Sequence, residues 1–373
     1  ESGYCSRLGV DLEKQKINIG NYGSAVGKVT GALKRMVGAF AIFNLIKNSF
    51  KVVKEFEQSQ ANLASVLGVN INEMKGLTEQ AKELGATTTF TASQVAELAL
   101  EFAKLGFSQP EIEGMTEATL ALAEATGSEL GEAASVVGAT MRGFGLEVSE
   151  TQRVTDVMAK SFSSSSLDMA KFSTAMASVA PVAKLEGVGL EETTALLGTL
   201  TDRGIDASTA GTGLRNMFLK SNKAGLTFDE ALQQINSSSD KSAASMELFG
   251  VRGATLGVIL SETQGDVESL TEKVTDSEGA AARMAETQRN TLGGAIKLLR
   301  SAWEGLVLKF EEGTGVFGTV KDITLLVADN LTELVKVVGI AGGAWLAYKT
   351  VVALSSVQSF LMQQQALLTG KAM

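Results

Sequence analysis

The residue types on which most enzymatic chemistry depends are nearly missing from this sequence. Histidine does not occur, and cysteine occurs once, at Cys5. A Ser-His-Asp triad, a Cys-His pair, an imidazole-bound zinc or iron site and a disulfide within the chain are therefore excluded. Carboxylate or Ser-Lys chemistry survives that filter, and so does one glycine-rich stretch. GIDASTAGTGLRNMF, Gly204 to Phe218, sets Gly211-Thr-Gly213 just before what reads as the first turns of a helix. A P-loop needs G-x-x-x-x-G-K-[ST] after a strand, and both the spacing and the lysine are absent here. A dinucleotide loop needs G-x-G-x-x-G inside a strand–helix–strand unit. GTGLRN lacks the third glycine, and the preceding LEETTALLGTLTD carries Leu196, Leu197 and Leu200 at helical spacing. The stretch therefore reads as a helix N-terminus where Ala210, Gly211 and Gly213 let two helices pack tightly. Glu101, Glu191 and Glu192 are the acids nearest the turns, and solvated helix faces account for them. No catalytic residue, cofactor site or metal site is predicted.

The elements that hold these residues follow from composition. Of 373 residues, 45% are apolar but only 6% aromatic, so the interior must be built from Ala, Leu, Val and Met. Two prolines stand against 39 glycines, which predicts helices punctuated by glycine and an all-α fold. LGFS (105–108), FGLEVS (144–149), VGLEE (188–192), RGIDAS (203–208) and AGLTFDE (224–230) share one pattern. Gly106, Gly145, Gly189, Gly204 and Gly225 are expected in the left-handed position that ends a helix. The next apolar residue folds back on the last turn, and Ser149, Asp206 and Thr227 are the expected caps of the helices that come next. The spacing of these stops is irregular, so no regular solenoid is expected. The serine run SFSSSSLDMAKF (161–172) is expected to be an ordered loop that caps a helix.

Five segments are expected. Residues 1–30 read as the end of a preceding extended or coiled segment. Residues 31–68 form one long helix with an apolar seam at Ile46, Phe50, Val53, Phe56, Leu63 and Leu67, Gln60 filling the gap. Residues 69–265 form a compact core of short antiparallel helices. Residues 266–316 are polar and then amphipathic, with Ile296, Leu299, Trp303, Leu306 and Phe310 on one side. Residues 317–373 are an apolar helical segment. The start at Glu1 and the stop within an apparent helix read as those of a piece of a longer protein.

Two apolar stretches leave two environments open. Met36–Ile46, with Phe40, Ile42 and Phe43, suits either burial among helices or membrane contact, but eleven residues are too few to cross a bilayer, which takes about 20. Val337–Leu354 holds one charge, Lys349, and is rich in small residues. It suits either an oligomer interior or a membrane, with Trp345, Leu346, Tyr348, Val351 and Leu354 as the contact residues. Charge is uneven as well: residues 61–150 carry 4 Lys/Arg against 13 Asp/Glu. That acidic middle argues against duplex nucleic acid as a ligand, because neutralising phosphates takes clustered Lys and Arg.

Five short motifs recur in a recognisable order. They are Phe90-Thr-Ala-Ser, Lys104-Leu-Gly-Phe, Val154-Thr-Asp-Val-Met, Ala180-Pro181-Val182-Ala183 and Gly204-Ile-Asp-Ala-Ser-Thr-Ala-Gly211-Thr-Gly-Leu-Arg. Across Thr89–Phe218 the chain resembles the core region of phage tail tape measure proteins of the TP901 type, although it is far shorter than a whole tape measure. The resemblance implies a structural ruler, not an enzyme, that sets tail tube length from within the tube lumen of the virion. It implies copies of the same chain, the tail tube protein, a tail assembly chaperone and tail-tip or baseplate proteins as partners. It also implies a stay in the host cytoplasm during assembly and contact with the host membrane during genome delivery. The alternative reading is a membrane-active helical protein, a pore former or secreted effector.

Overall fold

A computed structural model describes residues 39–314, and all regular structure in them is helical. The first six α-helices are α1 (Ala39–Leu67), α2 (Lys75–Thr87), α3 (Ala92–Lys104), α4 (Gln109–Thr126), α5 (Leu130–Phe144) and α6 (Thr151–Ser164). Next come α7 (Met169–Leu185), α8 (Leu190–Asp202), α9 (Ala207–Lys223), α10 (Phe228–Ser237) and α11 (Lys241–Glu262). The last are α12 (Gln264–Thr275), α13 (Ala280–Arg289) and α14 (Leu292–Thr314). Phe40, Ile42 and Phe43 lie on the first turns of α1, whereas Trp345, Leu346, Tyr348, Val351 and Leu354 fall outside the described residues.

The turns rest on local chemistry. At Gly204, φ is +80°, the Gly204 amide donates to the Thr201 carbonyl at 3.0 Å, and the Ile205 amide reaches back to the Leu200 carbonyl at 3.1 Å. This is the six-to-one bond of a Schellman turn, which glycine permits because it has no Cβ to clash. Phe107, Leu146 and Leu226 make the same long bond after Gly106, Gly145 and Gly225. The stretch VGLEE departs from the expectation. Gly187 takes the left-handed conformation and Val188 makes the long bond to Ala183, while Gly189, at φ −71°, is the extended N-cap of α8. The stop therefore lies two residues before the one expected, and Leu190 already belongs to the next helix.

Caps obey the same logic. Asp206 accepts from the amides of Ser208 and Thr209, and Thr227 forms a reciprocal box with Glu230. Ser149 is not a cap: it sits inside a 3₁₀ turn, Val148–Glu150, boxed by Glu147 and Glu150, and α6 begins at Thr151. In the serine run α6 continues through Ser164. The cap of α7 is Asp168, which accepts from the Lys171 amide at 2.8 Å, and Ser166 instead donates its amide to Asp202. That loop is ordered by named bonds.

One hydrophobic cluster runs from Val52 on α1 to Leu308 on α14. α8 is its most enclosed element, buried at Leu190 and continuously from Thr193 to Thr201. α9 lies on α7, α12 on α8, α13 on α4 and α14 on α2. On α1, Val53, Phe56 and Leu63 are buried, and the polar gap is filled because Gln60 accepts a hydrogen bond from the Thr78 hydroxyl at 2.9 Å. On α14, Trp303 packs against this cluster as expected, but Ile296 does not turn inward. Ala295, Leu298, Ser301, Glu304, Val307 and Leu308 are buried, whereas Ile296 is 60% exposed. The buried side includes Gly305, where a Cβ would lie 2.8 Å from that of Ala86, so α14 and α2 approach closely there.

Candidate functional site

The glycine-rich stretch becomes the start of α9, wedged between two neighbours. Gly211 faces α7 so closely that a Cβ there would lie 2.7 Å from the Ala175 Cα and inside 3 Å of its carbonyl carbon. Gly213, two residues on and therefore on the opposite side of the helix, faces Leu256 of α11. Ala210 and Leu214 are fully buried between them. The glycines set an interhelix distance and offer no opening to a phosphate.

The acids diverge. Glu101 pairs with Lys104 on its own helix at 2.7 Å. Glu191 pairs with Arg153, which also holds Glu150 at 2.8 Å, so this guanidinium ties α6 to α8. Glu192, the next residue, makes no such pair. Burial raises the pKa of its carboxyl, and the nearby charge of Asp229 raises it further. Glu124 and Glu304 are also raised by burial, opposed by Arg289 in the first case and Arg300 in the second. Because their folded pKa values exceed the unfolded ones, these acids weaken the fold at neutral pH, and the deficit is recovered as pH falls through the raised values toward 4.5. Glu192→Gln should accordingly raise the melting temperature at pH 7 and leave it unchanged near pH 4. Thermal scans at both values check this, and an equal shift at the two would refute the assignment.

Among the described residues no group of Cys, Asp or Glu is placed to hold a metal ion. A polar depression of about 210 Å³ lies between α6, α8 and α12, lined by Thr199, Asp202, Arg203, Asp266 and Lys273 among others. The Arg203–Asp266 ion pair at 2.7 Å spans it, and Asp202 is already engaged by the Ser166 amide.

Sequence reasoning missed a buried acid that ties together distant parts of the chain. Asp156 on α6 is 1% exposed, and its two carboxylate oxygens accept from the Gly279 amide at 2.8 Å and the Ala281 amide at 2.9 Å. It thereby caps the start of α13 from across more than 120 residues of chain. The Gln152 amide nitrogen adds a third bond at 3.1 Å. The only signal available was an acid within the otherwise apolar-facing run of Val154-Thr-Asp-Val-Met.

Comparison with known proteins decides what such an arrangement belongs to. The description "phage-related minor tail protein" matches residues 78–297, more than half of the chain. The chain belongs to the phage-related minor tail protein family. It is 27% identical over 333 residues to the tape measure protein of Pneumococcus phage Dp-1, covering 82% of this chain and 28% of that protein. It is 26% identical over 336 residues to the probable tape measure protein of Escherichia phage P2, covering 80% of this chain and 41% of that one. The chain thus spans less than half the length of the curated relatives it matches. No solved structure matches it. As a minor tail protein it is a component of the phage tail. Within this family member, the α7–α9–α11 contact, the Arg153 pairs and the Asp156 cap serve to lock helices together.

Proposed function

We propose that this chain is part of a tape measure protein, a structural ruler and scaffold that sets tail tube length during assembly. The observation that carries the reading is the match of about four-fifths of the chain to two tape measure proteins. The all-helical fold of the described residues supports it, as does the use of Gly211 and Gly213 for close packing and of Glu101, Glu191 and Asp156 for pairing and capping. In this reading the protein has no catalytic activity. It works beside the tail tube protein, a tail assembly chaperone and tail-tip or baseplate proteins, in several copies within the tube lumen, and it takes part in genome delivery.

The alternative as a membrane-active protein gains nothing from the described helices. α11 alone among them is long and apolar enough to cross a membrane by length and composition, and it is folded back on itself at Gly250. The ruler is tested in the phage gene that encodes this chain. Inserting 100 residues of helical sequence should lengthen the tail by about 150 Å, at 1.5 Å per residue. Tail lengths are read by negative-stain electron microscopy of assembled particles. Normal particles with unchanged tails would sink the proposal.

A further inference from the structure

α7, α9 and the second arm of α11 form one layer in which acids are nearly absent. α9 packs on α7 where Gly211 meets Ala175, and on α11 where Gly213 meets Leu256. α11 turns back at Gly250, and there the Lys220 ammonium of α9 donates to the Phe249 carbonyl at 2.8 Å. In a chain with 42 Asp and Glu and a net charge of −9, Met169–Leu185, Ala207–Lys223 and residues 251–261 hold no acid. They hold the cations Lys171, Lys184, Arg215, Lys220, Lys223 and Arg252. Lys171 pairs with Asp168, whereas Lys184, Arg215, Lys223 and Arg252 are exposed and make no ion pair among the described residues. Helix dipoles favour cations in the last turns of α7 and α9, but not Arg252 in the first turn of an arm or Arg215 in mid-helix. The same layer exposes large apolar side chains: Leu185 at 78%, Val251 at 81% and Leu219 at 43%. Leu219 follows Arg215 by four residues, so the two share one face of α9. Acids stand at the rim. Glu186 accepts from the Asn222 amide group at 2.8 Å, and Glu262 at the end of the arm pairs with Lys241.

From this layer we infer a docking face for a second copy of the chain, which binds through its own acidic end. Cations alone would suit any polyanion. The exposed Leu185, Leu219 and Val251 favour a protein, because a phosphate backbone offers apolar side chains nothing to bury against. The chain itself has the complement. Around the turn between α1 and α2, Val66 and Ile71 are each 45% exposed, beside the exposed Glu73. Glu79 and Glu83 follow on the outer side of α2, and Glu117 is exposed on α4. Lys75 and Lys82 are the cations there, and Lys82 already pairs with Glu79 at 3.9 Å. The two surfaces belong to different parts of the molecule, since α1 and α2 pack on α3 and α14. A face of one charge repels its own copy, so a two-fold symmetric contact is ruled out. The contact joins two different patches, which builds a ring where the rotation closes and a row where it does not. The inference rests on the reading of several copies in one tube lumen and names the faces through which they meet.

Sedimentation velocity of the full chain should show association that grows with protein concentration and weakens about tenfold between about 50 and 500 mM salt. The double variant Arg215→Glu, Arg252→Glu should weaken association at low salt by about tenfold or more, and so should Glu79→Lys, Glu83→Lys. Both should keep the helical circular dichroism signal and the melting temperature of the wild type. Mixed one to one, the two variants should associate again, because each offers the charge that the other lacks. A mixture that stays monomeric overturns the inference, as does either variant associating as tightly as wild type. So does a wild type that is monomeric at low salt, including one that then binds phosphatidylserine vesicles, which would assign the face to lipid. Tail length in the phage can still follow chain length in each of these cases, so failure here and failure of the ruler are distinguishable.

Discussion

Replacing Asp156 by alanine should destabilise the domain more than any other single polar substitution. The carboxylate is buried and is the acceptor for two amides at the start of α13, those of Gly279 and Ala281. Its removal strands both donors in the interior, at a cost of about 1–3 kcal/mol each. Together with the lost Gln152 contact, the expected loss is roughly 3–5 kcal/mol, which for a domain of this size is a fall in melting temperature on the order of 10 °C. Asp156→Asn, which keeps one acceptor, should lose about half as much. The damage should be local at first. Hydrogen exchange should show the amides of α13 and of the adjoining part of α4 losing protection before those of α7 and α9, because α13 lies on α4. Equal melting temperatures for wild type and the alanine variant would remove Asp156 from its place as the cap.

The second large effect is expected at Gly211, and three glycines form a graded series around it. At Gly204 nothing lies within 4 Å of an added Cβ, so Gly204→Ala bears only the cost of positive φ, about 1 kcal/mol. At Gly213 the obstacle is the tip of the Leu256 side chain, which can rotate away, so alanine should cost about 1–2 kcal/mol. At Gly211 the obstacle is the backbone of Ala175, which cannot yield without moving α7. Alanine there should cost about 3 kcal/mol, at the upper end of overpacking, and valine should prevent folding. Chemical denaturation of the three alanine variants gives the order directly. If Gly211→Ala proved no worse than Gly204→Ala, close packing would not be the reason for that glycine.

These cases show why some of the molecule is legible in its sequence. The turn at Gly204 is complete within seven residues: Leu200 accepts, Gly204 reverses the chain, Ile205 donates and Asp206 caps α9. A signal contained in so short a span survives without knowledge of the rest. Where two local solutions compete, legibility drops. VGLEE comes directly after another glycine, and only the bond from Val188 to Ala183 decides that Gly187, not Gly189, ends the helix. The approach to α6 is similar: Ser149, Glu147 and Glu150 are all able to cap, and the two acids box the 3₁₀ turn that precedes the helix.

By itself, the sequence determined the helical class, the stops at Gly106, Gly145, Gly204 and Gly225, the tight packing at Gly211 and Gly213, and the lack of histidine and cysteine-pair chemistry. All of these rest on residue type or on neighbours within one or two turns. Tertiary structure alone decided the rest. α14 leaves Ile296 60% exposed and approaches α2 through Gly305 and Ala86 instead. Asp156 has an interior role because the start of α13, far away in the chain, arrives with two unsatisfied amides. The run from Lys241 to Glu262 is folded in two at Gly250, where Lys220 of another helix takes the Phe249 carbonyl and Ser245 reaches across to Ala254. In each case the deciding partner lies outside the local turn, and free energy is set by which groups meet in space.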